Sequence, residues 1–83
     1  MNKIYLFGKI IFKSKLKYII SPKLKLYLEV IVETISGDNF NCIVYENECE
    51  LIKNIKLGDY IFIEGIGVIN GNGFNIYINK LYI

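Results

Sequence analysis

Ten lysines, seven tyrosines and five phenylalanines are the residues of this chain best suited to chemistry, and that chemistry is binding rather than reaction. Histidine is absent, so the usual acid–base group at neutral pH is missing. No serine or cysteine has an evident base near it in sequence. Glu46, Glu48 and Glu50 cluster at the start of an expected helix, where capping and the helix dipole account for them. Cys42 and Cys49 form no Cys-x-x-Cys pair and have no histidine to complete a zinc site, which leaves two buried thiols in a reducing compartment. Gly65-x-Gly67-x-x-Asn70 lacks the third glycine of a dinucleotide loop and does not open a helix. The expectation is a protein without catalytic residues, metal or cofactor.

The lysines are unevenly placed. Residues 1–25 hold seven lysines and no acid, a charge of +7. The remaining residues hold three lysines and all eight acids, a charge of −5. A concentrated basic segment is either a footprint for a polyanion or a guarded strand edge. Arginine is absent, so phosphate contacts fall to lysine, a point charge without the bidentate fork. Single-strand binding needs such charge beside flat aromatic faces on which bases of any sequence can stack. Lys3, Lys9, Lys23 and Lys25 with Tyr27 and Tyr45 are the candidate set. Tyr5, Phe7 and Phe62 also point outward, but burial in a subunit seam suits them better.

The elements that must carry these residues follow a period of two. Ile4, Leu6, Gly8 and Ile10 alternate with Lys3, Tyr5, Phe7 and Lys9 in a first strand, with Gly8 at a bend or bulge. A lysine-rich stretch, Lys13 to Tyr18, ends at Ser21-Pro22. In strand two, Leu24, Leu26, Leu28, Val30 and Val32 face inward, and Lys25, Tyr27, Glu29 and Glu33 face outward. Ser36–Asn39 is a hairpin turn, and strand three runs from Phe40 to Tyr45. The period then changes. Asn47 and Glu50 read as a capping box for a helix of two or three turns ending near Gly58. Strand four runs from Asp59 towards Asn70, bent at Gly65 and Gly67, and Asn70–Gly73 turns it into strand five, Phe74 to about Asn79. The order β-β-β-α-β-β predicts an all-β fold, a five-stranded OB barrel with one short helix between strands three and four. Residues 1–83 are read as a single domain.

Several of these segments resemble the bacterial single-stranded DNA-binding protein family and the related primosomal replication proteins. Asn2-Lys3-Ile4-Tyr5-Leu6-Phe7-Gly8-Lys9-Ile10 looks like the family opening, and residues 26–34 look like its second strand. Asn41-Cys42-Ile43-Val44-Tyr45 is similar to its third strand, which ends in an aromatic. Leu57-Gly58-Asp59-Tyr60-Ile61-Phe62-Ile63-Glu64-Gly65 looks like its Lys-Gly-Asp-x-Val-x-Val-Glu-Gly signature, with Leu57 in place of lysine. The resemblance implies base stacking on Tyr45 and subunit pairing through the first strand, at Tyr5 and Phe7. The family's long loop after strand two shortens here to Ser36–Asn39, its projecting hairpin to Asn70–Gly73, and its acidic tail is missing, as in a minimal relative.

The expected function is sequence-independent binding of single-stranded DNA, with RNA as the other polyanion, in replication, recombination or repair. The alternative is an OB-fold interaction module of a replication, primosome, phage or plasmid assembly with weak or no DNA binding. A homodimer or homotetramer is expected, with replication proteins as further partners. No apolar run approaches the ~20 residues of a membrane-spanning helix. Lys9, Lys13, Lys15 and Lys17 break up the apolar start, which argues against a signal peptide and for a cytoplasmic location.

Overall fold

The computed structural model describes residues 3–20, 22–45, 49, 52–71 and 73–82. Its strands are β1 (Lys3–Lys13), β2 (Lys17–Ile20), β3 (Leu24–Glu33), β4 (Asn39–Tyr45), β5 (Tyr60–Asn70) and β6 (Gly73–Tyr82). They form one sheet in the order β1-β5-β6-β4-β3-β2, and a second pairing between β1 and β3 closes five of them into a barrel. The five closing strands are those expected from the alternation. β2 is additional.

Closure requires β1 to serve two partners. Lys3–Lys9 pair with β5, and Lys9–Lys13 pair with β3, with Ile11 as the extra residue of a bulge between them. The bend expected at Gly8 therefore comes as a bulge three residues later. Gly8 has a different task. A Cβ there would run into the carbonyl of Glu33, so the close approach of β1 to β3 depends on its missing side chain. β5 carries its own register shift between Glu64 and Gly65, as the glycines there suggested.

The inward parity fills the barrel. Leu6, Ile10, Leu28, Val30, Val32, Cys42, Val44, Ile61, Ile63, Ile76 and Ile78 are buried together, and among the described residues no polar or charged one joins them. Leu24 and Leu26, expected inside by the same parity, are exposed. They lie beyond Tyr27, which pairs with Tyr45, and among the described residues their pairing is with β2. Lys17–Ile20 and Leu24–Tyr27 thus make a two-stranded arm projecting past the barrel rim.

The segment between β4 and β5 closes one end. Cys49, Ile52 and Lys53 are helical, and Cys49, Ile52 and Ile55 are buried in the core. The expected capping residues Asn47 and Glu50 and the apolar Leu51 lie outside the described residues. The Cys49 thiol donates to the Val44 carbonyl at 3.3 Å. Lys13 on β1 donates through Nζ to the carbonyls of Ile52, Lys53 and Ile55, an ammonium placed at the C-terminal end of a helical segment, where a cation suits the carbonyl dipoles. Gly58 turns the chain back with φ of 95°, its N–H donating to Ile10 O at 2.7 Å, while Ile10 N donates to Asp59 O at 2.9 Å. The Asp59 carboxylate accepts from Lys56 N at 3.0 Å. The Gly-Asp pair read as a signature is thus the clamp that fastens this segment to β1.

Candidate nucleic-acid interface

The outward parity of β3, β4 and β6 assembles one polar and aromatic face. β3 and β4 pair antiparallel with Tyr27 opposite Tyr45, so their rings meet at 5.9 Å between centroids. β4 and β6 pair in parallel with Ile43 opposite Tyr77, which brings the Tyr77 ring to 6.0 Å from Tyr45 and within 11° of parallel to it. Lys25, two residues before Tyr27 and therefore on the same face, holds Nζ 5.9 Å from the centre of the Tyr45 ring. All three rings are half-buried. Burial, followed by the neighbouring Tyr77 and Tyr27, pushes the Tyr45 phenol above its ordinary value of 10.0, so it is neutral at physiological pH.

Beside the rings, Asn41 opposes Asn75 and donates Nδ2–H to its Oδ1 at 2.8 Å. Glu29, also on this face, is held by Lys17 at 3.1 Å. That pairing mutes the Glu29 charge on the face that carries the aromatic row. The surface can therefore offer flat π faces, amide groups and ammonium groups to a flexible polyanion.

No protein-family model matches the chain, and no curated protein matches it in sequence. The architecture does have counterparts. The SSB domain of a Synechococcus sp. protein superposes with a TM-score of 0.84 at 17% identity, covering 100% of this chain and 96% of that one. The second OB-fold domain of replication protein A from Methanococcus maripaludis gives 0.81 at 11% identity, over 95% and 80%. The protein PriB of Ralstonia solanacearum gives 0.76 at 9% identity, over 98% and 95%. This chain has the OB fold. The families that the sequence resembles, single-stranded DNA-binding proteins and their primosomal relatives, are those among which its structural neighbours fall.

On this OB barrel the sequence-derived site residues do not all converge. Tyr27, Tyr45 and Lys25 come together, and Lys23 lies exposed at the arm's turn. Lys9 stands at the other end of β3, paired with Glu33 at 3.7 Å, about 20 Å from Tyr27 at strand rise. Lys3 pairs with Glu64 at 3.8 Å on the β1–β5 side of the barrel. Lys13 is committed to carbonyls. The +7 segment is therefore dispersed rather than a continuous track.

Tyr77 and the Asn41–Asn75 pair are additions that the sequence reading did not include. Parity alone could have placed Tyr77 outward, since Ile76 and Ile78 face inward. Its neighbour is another matter, because a parallel β4–β6 pairing spans more than thirty residues and leaves no local signal.

Tyr5 and Phe7 occupy a second face, across β1, β5 and β6. Tyr5 lies 6.3 Å from Phe62, Phe7 stacks on Tyr60 at 5.6 Å, and Phe62 meets Tyr82 at 5.9 Å. All five rings are exposed. Together they form a contiguous exposed aromatic patch.

Proposed function

We propose that this OB barrel binds single-stranded nucleic acid, DNA foremost, without sequence preference, across the Tyr27–Tyr45–Tyr77 row. The observation that carries the reading is the convergence of three tyrosines from three strands, with the Lys25 ammonium over the central ring, Tyr45. Bases stack on the rings, each worth about 1–3 kcal/mol whatever its identity. Lys25 and Lys23 take the adjoining phosphates. Lys3 and Lys9 lie off this row, and a strand long enough to reach them exchanges Glu64 and Glu33 for phosphate at little cost, because exposed ion pairs are worth about 0–1 kcal/mol. The names of the structural neighbours, an SSB domain and replication protein A, support a single-strand ligand. Binding, not catalysis, is the activity assigned.

The second aromatic face is the proposed homodimer seam, with Tyr5 and Phe7 at its centre. A twofold there presents the same patch on both subunits and buries it once. One observation favours the interaction-module alternative: four of the seven amino-terminal lysines are already engaged within the chain.

Fluorescence anisotropy of labelled oligothymidine across a salt series separates the two readings. Log affinity should fall with log salt by about 0.7 for each phosphate neutralised, so about 1.4 for Lys23 and Lys25 alone and more if Lys3 and Lys9 join. No binding at low salt, or a flat response, favours the interaction module.

A further inference from the structure

We infer that the β2–β3 arm is a second self-association surface, through which two copies of this chain pack face to face. The argument starts from parity. In the arm, Tyr18 opposes Leu26 and Ile20 opposes Leu24, so these four side chains share one face. It continues the parity of the barrel's interior row, Leu28, Val30 and Val32, past the described pairing of β3 with β4, and there the side chains are exposed. Tyr18 is 65% exposed, Ile20 70%, Leu24 59% and Leu26 40%. Lys17 opposes Tyr27 and Ile19 opposes Lys25, which puts the charges on the other face, beside the tyrosine row.

Two features select a second copy as the occupant. The first is charge. Among the described residues no ionisable group other than the Tyr18 phenol lies on the apolar face, and both lysine-bearing faces stay outside when two copies meet. The second is area. Four residues at these exposures present roughly 450 Å² per copy, or roughly 900 Å² across a twofold, close to the ~1,000 Å² that a specific interface needs. A twofold is self-completing: the patch is its own complement, and one contact closes it. β2 is also the free edge of the sheet, with consecutive apolar residues Tyr18, Ile19 and Ile20. An edge of that composition left uncovered favours uncontrolled pairing, and closure by a twofold limits it.

The arm contact is independent of the nucleic-acid reading and of the Tyr5–Phe7 seam. With the seam it joins two dimers into a species of four chains. Without the seam it makes the dimer. In both cases removing it halves the mass, which sedimentation equilibrium measures directly. Ile20→Lys with Leu24→Lys should halve the wild-type mass while circular dichroism shows an unchanged sheet signal. Tyr18→Lys with Leu26→Lys serves as the second variant on the same face should the first fail to fold. Ile19→Lys, on the opposite face of the same strand, should leave the mass unchanged. Tyr5→Lys with Phe7→Lys reports separately on the seam. A wild-type chain of 9.6 kDa at high micromolar concentration, or arm variants that sediment as wild type, overturns the inference.

Discussion

Tyr45 lies between two other rings and beneath a lysine, so its removal takes away one stacking surface and the centre of the row at once. Tyr45→Ala and Tyr77→Ala should each weaken oligothymidine binding by about 1–3 kcal/mol, measured by anisotropy at low salt, with the folded state retained because both side chains face outward. Phenylalanine at either position should restore most of the affinity, because the π face and not the hydroxyl is used. Unchanged affinity in the alanine variants returns these residues to a structural role. Tyr27 and Tyr45 were legible in the sequence because strand alternation fixes which side each occupies. Their union with Tyr77 was not, because sequence spacing does not reveal which distant strands become neighbours. Cys42 provides an unrelated test of the core. Burial raises its thiol from 9.0 to about 12. The folded state therefore keeps the proton while the unfolded chain loses it above pH 9, and stability falls as pH rises through that window. The slope from this group approaches 1.4 kcal/mol per pH unit. Urea unfolding from pH 8 to 11 should show that extra decline in wild type and not in Cys42→Val.

At the scale of elements, the segment joining β4 to β5 is held by one side chain from β1. Lys13 reaches three carbonyls at its end, and Met in its place keeps the aliphatic stem but loses the charged donor. Lys13→Met should lower unfolding stability by roughly 1–3 kcal/mol in urea titration, against almost no change for Lys15→Met at an exposed site. Equal stability of the two variants refutes the anchoring role. The sequence suggested lysine as a phosphate ligand or an edge guard here, since nothing local announces a carbonyl acceptor forty residues away. The same limit hid β2. Lys17–Ile20 alternates too briefly to identify a strand, and its partner Leu24–Tyr27 reads as barrel interior because the inward parity of β3 runs unbroken through it. The described pairing of β3 with β4 ends at Tyr27 and Tyr45. Ser14 bridges the gap between β1 and β2, donating N–H to Glu29 O at 2.8 Å and accepting Glu29 N–H on Oγ at 2.9 Å, so one edge of β3 remains paired almost from end to end.

For the whole molecule, closure settles what a sheet this apolar does with its interior, and leaves its aromatic outer faces as the surfaces to be explained. The order of strands was legible because five alternating runs and one change of period admit few small barrels, while of the expected two- to three-turn helix the described residues show only Cys49, Ile52 and Lys53 as helical. The division of the outside into a tyrosine–lysine face and a Tyr5–Phe7 face was legible only in part, since it depends on the closing registers of β1 with β5 and of β4 with β6. If the second face is the seam, Tyr5→Lys with Phe7→Lys should halve the sedimenting mass. It should also weaken binding to long oligonucleotides more than to short ones, because linked sites act in series. Among the described residues no helix is long and apolar enough to cross a membrane. The central claim is that single-stranded nucleic acid lies on the β3–β4–β6 face. Chemical-shift mapping of the 9.6 kDa chain with unlabelled oligothymidine tests it most directly. The expected result is perturbation centred on Lys25, Tyr27, Asn41, Tyr45, Asn75 and Tyr77. Shifts confined to Tyr5, Phe7, Tyr60 and Phe62, or no shifts at low salt, contradict it.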